Sequence, residues 1–448
     1  MTSYAADPHA SAVYLYREEG ADDNLNMHYQ YARVKILTEK GKEMFSDIEI
    51  AYESSRSSIT DISGRTIHSD GSIIPFSGKP YDKLLTKQEG EREMSKVFSM
   101  PDVQVGSIIE YRFKLRYDTD WYLPPTWQIQ QQVPVLKASY HFVPGRREQH
   151  LLYTFILPPG DRVTQQRNGS YELNVKDVPA LPHGDYLPPF ADLSYRLEFY
   201  YSSYTTTADY WKQMGDYWSK GFDKFAHPTE KIRAAVNGIV AAGDSDDQKV
   251  QKIYAAIMKL ENTSFTREHS AKENKAEHLK VKNAEDIWAQ QRGNDDEITG
   301  LFVAMIRAAG LHAYGAIVAD RDENVFQPGY LTWDQLNDDL AIVSLDGKEL
   351  YFDPGQRYCE FGKLHWKHTS AGGLRQSDGG TKIFTTPPPR YEDNDTERSG
   401  QLTLDADGQV HGVVNETMTG AEALFWRQAA LIEDESGVKK LFEDSLQS

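Results

Sequence analysis

The hydrophobic pattern of this chain changes its period twice, and this change restricts the folds that the chain can adopt. Up to about residue 200, apolar residues alternate with polar ones in short runs, for example over 28–37 and 47–52, which is typical of β-strands. From about residue 207 the spacing becomes helical, and it returns to a period of two over 340–345 and 349–352. The pattern therefore predicts an α+β protein with sheets on both sides of a helical region.

Turn residues divide the strand-rich parts into hairpins. Asp70-Gly71 and Asp346-Gly347 each separate two strand-like runs and predict tight turns, and Ser63-Gly64 is a third turn candidate. A proline-rich stretch over 179–189 is typical of an extended connector. We expect three regions, which are an antiparallel β-sandwich over 1–200, an α+β domain over 205–384 and the start of a C-terminal β domain over 385–448.

One helix of the middle region is better defined than the others. Its apolar stripe is formed by Ile298, Leu301, Phe302, Met305 and Ile306, and Gly310 is placed to end it. Asn294 can cap the first turn, and Glu297 can complete a capping box. Further helices are predicted over 209–222, 229–242, 246–260 and 283–291.

Composition excludes several classes of function. The net charge of −18 and the lack of a basic cluster argue against nucleic acid as a partner. The single cysteine, Cys359, excludes an internal disulfide and a cysteine-based zinc site. No apolar run is long enough for a transmembrane helix, and residues 1–10 lack a signal-peptide pattern. The sequence predicts no metal or other cofactor from spacing alone and does not fix the oligomeric state.

Several motifs of the chain, taken in order, resemble the transglutaminase-like, papain-fold superfamily. The resemblance rests on 283–294 followed by the helix that ends at Gly310, on Gln335-Leu336-Asn337-Asp338, and on Tyr351-Phe352-Asp353-Pro354. The upstream motifs 61–67 and 100–111 are similar to a β-sandwich domain of unknown function that often precedes this core in bacterial, usually exported, proteins. The resemblance implies that 205–384 is a transglutaminase-like domain and that the protein is periplasmic or otherwise extracytoplasmic.

The chain departs from the family where the chemistry would occur. Family members place a nucleophilic Cys at a helix start, a His at a strand start and an Asp at the end of the next strand. The resemblance assigns these positions to Asp295, to Asp338 (or Asp339, one residue on) and to Asp353. A carboxylate cannot form a thioester, so the mapping implies a protein that has lost cysteine chemistry. Cys359 lies beyond the Asp strand and is read as a structural thiol.

Two interpretations of these acidic residues stay open. The acids at the helix start can simply be caps that suit the helix dipole. Alternatively, Asp295, Asp338 and Asp353 converge, and then either one of them keeps a proton or a hard cation such as Ca²⁺ or Mg²⁺ lies among them. A shared proton would permit acid–base hydrolysis by a protease-like or other hydrolase. The sequence leaves open whether the protein is an enzyme.

Aromatic and amide side chains near the mapped cleft are candidates for ligand binding. Trp288, Asn294, Trp333 and Asn337 are the candidates to bind a peptide, protein or glycan, although the spacing of the two tryptophans favours core packing over binding. In the first region, Trp121, Tyr122 and Trp127 lie in a proline-containing segment that could form a contact surface. The sequence thus favours a binding or structural module of the bacterial envelope over an enzyme.

Overall fold

The computed structural model describes residues 2–445 apart from 89–90, 120–121, 124, 146, 182–183, 185–186 and 267–280. The chain divides into two compact units, Met1–Thr205 and Thr206–Ser448. Each unit has an apolar core of its own, and helices and strands both contribute to the fold. The protein is therefore of the mixed α+β class, as the periodicity predicts.

The first unit is mainly strands. Its strands are β1 (Ala12–Asp22), β2 (Met27–Ile36), β3 (Asp47–Glu53), β4 (Ser57–Ile67), β5 (Ile73–Pro75), β6 (Tyr81–Gln88), β7 (Glu91–Ser99), β8 (Ile108–Tyr117), β9 (Thr126–Gln128), β10 (Val135–Val143), β11 (His150–Ile156), β12 (Thr164–Gln165), β13 (Tyr171–Val178) and β14 (Arg196–Ser202). Eight of them form one sheet in the order β12-β13-β10-β1-β2-β8-β4-β5. Two three-stranded sheets, β3-β7-β6 and β11-β14-β9, complete the unit.

Several details of this unit differ from the prediction. β1 and β10 pair in parallel, because the chain between them is long enough to cross over, whereas the neighbouring pairs β1–β2 and β10–β13 are antiparallel. Ser63-Gly64 is not a turn but lies inside β4, where a Cβ on Gly64 would come within 3.0 Å of the Glu110 carbonyl oxygen. Asp70-Gly71 does form the predicted turn, with Gly71 at φ 87°.

Two short helices interrupt the strands of the first unit, and the alternating pattern predicts neither. Helix α1 (Glu39–Ser46) begins after Thr38, whose side chain accepts a hydrogen bond from the Gly41 N–H, and Phe45 is buried beneath it. Helix α2 (Phe190–Leu193) is a single turn after the proline-rich stretch. Capping by a threonine therefore identifies α1 better than periodicity does.

The second unit begins with helices. They are α3 (Thr207–Phe225), α4 (Glu230–Ile239), α5 (Asp246–Ile257), α6 (Ala284–Gln290) and α7 (Asp295–Ala308), all close to the predicted ranges. A five-stranded antiparallel sheet follows, in the order β19-β18-β17-β20-β21, from β17 (His312–Val318), β18 (Asp338–Leu345), β19 (Lys348–Phe352), β20 (Gly372–Ser377) and β21 (Gly380–Thr385). Two-residue strands β15 (Glu261–Asn262) and β16 (Arg292–Gly293) pair beside α7.

Helix α7 is the centre of this unit. Leu301, Phe302 and Met305 of α7 are fully buried, and they share one apolar core with residues of β18 and β19. The turn between β18 and β19 is the predicted one, with Asp346 and Gly347 both at positive φ. This packing fixes the start of α7 close to the ends of the two strands, where the mapped acidic residues lie.

The last part of the chain is a hairpin followed by two helices. β22 (Thr396–Leu404) and β23 (Val410–Met418) pair on either side of a turn at Asp407-Gly408. Helices α8 (Gly420–Ile432) and α9 (Glu435–Ser445) follow. Within the described residues this region thus combines strands and helices and is not purely β.

Candidate functional site

The start of α7 is held by the predicted cap. Asn294 accepts a hydrogen bond from the Glu297 N–H at 2.8 Å, and Glu297 accepts one from the Asn294 N–H at 2.9 Å. The loop after β19 comes so close that a Cβ on Gly355 would lie 2.7 Å from the Asp295 carbonyl oxygen. The capping box is therefore confirmed, and only glycine lets the loop that follows Asp353 approach the helix start.

Asp353 contacts a histidine that the sequence reading does not select. Its Oδ2 atom lies 2.7 Å from Nδ1 of His368 and accepts a hydrogen bond from the His365 N–H at 2.9 Å. His368 belongs to a one-turn 3₁₀ helix, Trp366–His368, and both Asp353 and His368 are about 1% exposed. Asp353 is therefore part of a buried acid–histidine pair.

The second ring nitrogen of His368 is also bound to a carboxylate. Nε2 of His368 lies 2.8 Å from Oδ2 of Asp338, at the start of β18. An ionised carboxylate can only accept hydrogen bonds, so a ring between two of them must carry a proton on each nitrogen. Burial alone would lower the pKa of His368, but Asp353 and Asp338 together raise it to about 10. The ring is therefore an imidazolium at neutral pH.

Lys367 supplies a second cation from the same turn. Its Nζ atom lies 2.6 Å from Asp320 Oδ2 and 3.4 Å from Asp338 Oδ2. Burial would raise the pKa of Asp338, but the hydrogen bond and the charge of His368, with help from Lys367, lower it below its usual value. Asp338 is thus ionised between two cations.

Three further carboxyl groups gather beside this network without a cation of their own. Asp296 Oδ1 accepts a hydrogen bond from the Asp339 N–H at 3.0 Å, and Asp295 Oδ1 accepts one from the Asp296 N–H at 3.1 Å. Burial, followed by the charge of Asp295, raises the pKa of Asp296 to about 7. Burial and the neighbouring acids also raise the pKa of Asp295 and Asp339. Asp296 and Asp339 therefore retain protons well above the usual range of a carboxyl group.

The three mapped positions are accordingly brought into one region of the second unit, with an added histidine between two of them. His368 bridges Asp353 and Asp338, and Asp295 lies within electrostatic reach of Asp338. Of the neighbouring pair, Asp338 is the residue that contacts His368. Asp339 instead lies beside the indole N–H of Trp218, which lowers its pKa somewhat, and its Oδ1 atom is enclosed without a partner among the described residues.

Each of the four predicted binding residues has a structural contact. Asn294 caps α7, and Trp288 packs against the core beneath it. The ring of Trp333 lies 6.5 Å from that of Trp211, and Asn337 donates to Glu323 and accepts from the Asp320 N–H. These contacts explain the residues without a ligand, so their role in binding stays a prediction.

Cys359 is a buried thiol in the loop after Asp353. It is 4% exposed, and burial raises the pKa of its thiol well above the usual value. Its carbonyl oxygen accepts a hydrogen bond from Tyr254 at 2.9 Å, which anchors the loop after Asp353. A buried thiol with a raised pKa is a poor nucleophile.

Asp320, Asp338 and His368 resemble a metal-ion site only in part. Ligand atoms of Asp320, Asp338 and His368 lie within 4.8 Å of one another. However, the Lys367 ammonium group already contacts both carboxylates, and His368 presents an N–H instead of a lone pair. A divalent cation at this point would face two positive groups, so this donor set does not fit Ca²⁺ or Mg²⁺.

One family model matches part of the first unit. Residues 22–182 match the family model DUF3857, described as a domain of unknown function with a solved structure. A search of curated proteins finds no match. The matched span corresponds to most of the strand-rich unit, and it is the part of the chain where the resemblance to a domain of unknown function was expected.

Structural comparison finds similar folds. A crystal structure named as a "putative protease" from Parabacteroides distasonis is 15% identical, with a TM-score of 0.54, and the match covers 85% of this chain and 72% of that one. A second, named as a "putative cysteine protease" from Cytophaga hutchinsonii, is 13% identical with a TM-score of 0.23. The match covers 66% of this chain and 85% of that one. The first likeness shows a shared mixed α+β fold and nothing about activity.

None of the helices within the described ranges has the length and apolar content needed to cross a bilayer.

Proposed function

We propose that this chain is a transglutaminase-like, papain-fold protein that no longer performs cysteine chemistry and serves as a binding or structural module for peptide or glycan ligands in the bacterial envelope. The observation that carries the proposal is the position of His368, which has a carboxylate at each ring nitrogen, at 2.7 and 2.8 Å. A general base needs a free ring nitrogen, and an imidazolium held in this way has none.

The acids at the start of α7 support the same proposal. A cysteine nucleophile would be activated by the helix N-terminus, but Asp295 occupies the mapped position, and its partly buried carboxyl group has a raised pKa. The network of Asp320, Asp338, Asp353, Lys367 and His368 instead links β18, the end of β19 and the 3₁₀ turn. In this proposal the former catalytic region holds the fold together.

Histidine NMR and activity measurements test the proposal together. With ¹⁵N-labelled histidine, His368 should show two protonated ring nitrogens at pH 8, and its signals are assigned by their loss in His368→Gln. The protein should neither hydrolyse casein nor attach an amine to it. Hydrolysis that stops on treatment with iodoacetamide, and is also lost in His368→Gln, would show that cysteine chemistry remains and would overturn the proposal.

Ligand binding is tested separately with defined probes. Tryptophan fluorescence is titrated with casein-derived peptides and with soluble peptidoglycan fragments, in the wild type and in Trp333→Ala and Trp288→Ala. The module proposal expects a saturable signal with one of the two probes and a weaker affinity in at least one variant. Saturable binding that neither variant changes would move the ligand site away from the mapped cleft.

A second function, acid–base hydrolysis, is favoured by one specific observation. Asp296 has a pKa of about 7 and lies beside Asp339, which has a raised pKa, so the pair can hold one proton near neutrality. Such an enzyme would show a bell-shaped pH dependence and lose activity in Asp296→Asn. Glu297→Gln is the matched control, because it changes the neighbouring acid of the capping box and leaves Asp296 and Asp339 in place.

A further inference from the structure

A cluster of tyrosines in the first unit surrounds a buried carboxylate and is unrelated to the acidic network. Asp23 is 6% exposed, and its Oδ2 atom accepts hydrogen bonds from Tyr201 at 2.7 Å and from the Gly145 N–H at 3.1 Å. Tyr117 donates to Oδ1 at 3.5 Å. We call Asp23, Tyr117, Tyr122 and Tyr201 the tyrosine site.

The tyrosine site offers two aromatic faces to a cation. The rings of Tyr122 and Tyr201 lie 5.1 Å apart with an interplanar angle of 64°. The guanidinium carbon of Arg147 lies 4.2 Å from the Tyr122 centroid and 4.8 Å from the Tyr201 centroid. A cation over two tyrosine rings with a carboxylate behind them has the geometry that proteins use to bind organic cations.

The tyrosine site contains a buried acid without a close cation and a hydroxyl without a described partner. The described hydrogen-bond partners of Asp23 are hydroxyl and amide groups, and the charge of Arg147 acts on Asp23 without a described ion pair between them. The Tyr122 hydroxyl is enclosed and has no described hydrogen-bond partner. A guanidinium group carries several N–H donors as well as a charge, so it could both approach Asp23 and donate to Tyr122.

Arg147, whose guanidinium group now lies over the two tyrosine rings, is positioned where another cation can displace it. Arg147 is exposed and lies in the loop between β10 and β11, whereas Asp23 and Tyr117 belong to the buried part of the unit. We infer that the tyrosine site binds the guanidinium group of an arginine side chain presented by a peptide, and that Arg147 is a tethered competitor for it. This inference does not depend on the proposed function, because it concerns a different unit.

The inference predicts a selective affinity for charged arginine. The probe is N-acetyl-arginine amide at roughly millimolar concentration, and N-acetyl-citrulline amide is its neutral analogue of the same shape. Binding is followed by chemical shifts of the tyrosine rings. Because a tethered group has an effective concentration of about millimolar or more, Arg147→Met should bind the arginine probe on the order of tenfold more tightly than the wild type.

Matched variants test the roles of the ring and the carboxylate. In the Arg147→Met background, Tyr122→Phe keeps the aromatic face and loses only the hydroxyl acceptor, so it should weaken binding, whereas Tyr122→Leu and Asp23→Asn should each abolish it. Arg167→Met, which removes another exposed arginine of the same unit, should behave like the wild type. Tyr122 is only partly buried, so its variants keep the test valid even if Asp23→Asn does not fold.

Three outcomes would overturn the inference. The first is equal binding of the arginine and citrulline probes by Arg147→Met. The second is an affinity of Arg147→Met no higher than that of the wild type. The third is unchanged binding in both Tyr122→Leu and Asp23→Asn, because the arginine probe would then bind elsewhere.

Discussion

Nδ1 of His368 lies 2.7 Å from Oδ2 of Asp353, and both side chains are about 1% exposed. The Asp353 side chain also accepts the His365 N–H, so the carboxylate is fixed from two directions. With Asp338 at the opposite nitrogen, the imidazole ring cannot turn without breaking a buried charged contact. The pair is therefore a rigid part of the second unit, and its energetic importance can be measured.

Removal of the His368 charge should strongly destabilise the protein. His368→Gln leaves Asp353 and Asp338 without their shared cation, and loss of one partner from a buried ion pair costs about 3–5 kcal/mol. His312→Gln is the control, since His312 is exposed and such a change usually alters stability by about 0.5 kcal/mol or less. Urea unfolding measures both, and equal effects of the two variants would contradict a buried network.

Deprotonation of His368 should make the protein less stable in alkaline solution. Despite burial, Asp353 and Asp338 raise the folded-state pKa of His368 from 6.5 to about 10. Its contribution to stability is therefore complete below pH 6.5 and is lost as the pH rises through 10. We expect a loss on the order of 3 kcal/mol across this range, measured by urea unfolding. His368→Gln should lack this pH dependence, and a wild-type curve parallel to that of the variant would contradict it.

Asp296→Asn should stabilise the protein at neutral pH. Burial and Asp295 raise the folded-state pKa of Asp296 from 3.8 to about 7, so the folded state binds more protons than the unfolded state in this window. Stability from this group is present below pH 3.8 and declines as the pH rises through 7. Asparagine keeps an acceptor for the Asp339 N–H and removes the charge, for a gain of about 2 kcal/mol at pH 8.

The control for this change is Asp334→Asn, at an exposed acid of the same unit. Thermal or urea unfolding at pH 4 and pH 8 should show a gain that grows with pH in Asp296→Asn and no such trend in Asp334→Asn. A loss of stability in Asp296→Asn at pH 8 would mean that its carboxylate is ionised and needed.

Added Ca²⁺ or Mg²⁺ should not change the melting temperature. Lys367 and His368 already neutralise Asp320 and Asp338, whereas a bound ion at a hundredfold excess over its dissociation constant would stabilise by about 2.7 kcal/mol. The measurement is a thermal melt of the wild type and of Asp353→Asn with each ion. An ion-dependent rise in the wild type that disappears in Asp353→Asn would instead establish a carboxylate cation site.

Cys359 should be unreactive in the folded protein. Burial raises the pKa of its thiol, and it is 4% exposed, so both the thiolate fraction and access are small. Mass spectrometry should find no alkylation by iodoacetamide under native conditions and complete alkylation in denaturant. Rapid native labelling would show that the loop after Asp353 opens readily.

Local sequence signals predicted much of the second unit. The cap at Asn294, the apolar stripe of α7 and the turn at Asp346-Gly347 depend on neighbouring residues, and all three are observed. The resemblance also led to Asp295, Asp338 and Asp353 as a group. These features could be predicted because their physical causes lie within a few residues of one another along the chain.

His368 could not be found in the same way. It belongs to a one-turn helix in an irregular segment, and it reaches Asp338 across 30 positions of the chain. Only the density of basic residues in His365-Trp366-Lys367-His368, shortly after Asp353, gave a signal. Likewise, Ser63-Gly64 has the composition of a turn, but Gly64 lies inside β4, where the absence of a Cβ allows a close approach to Glu110. This requirement comes from tertiary packing and not from neighbouring residues in the sequence.

The 3₁₀ turn Trp366–His368 has a consequence for how the second unit assembles. The turn carries two cations, Lys367 and His368, and they contact acids that come from β18 and from the end of β19. Until that turn docks, burial of Asp338 would leave its carboxylate without a cation and would favour the protonated form. Docking of the turn and release of a proton from Asp338 are therefore coupled, and the rate of the final folding step should depend on pH.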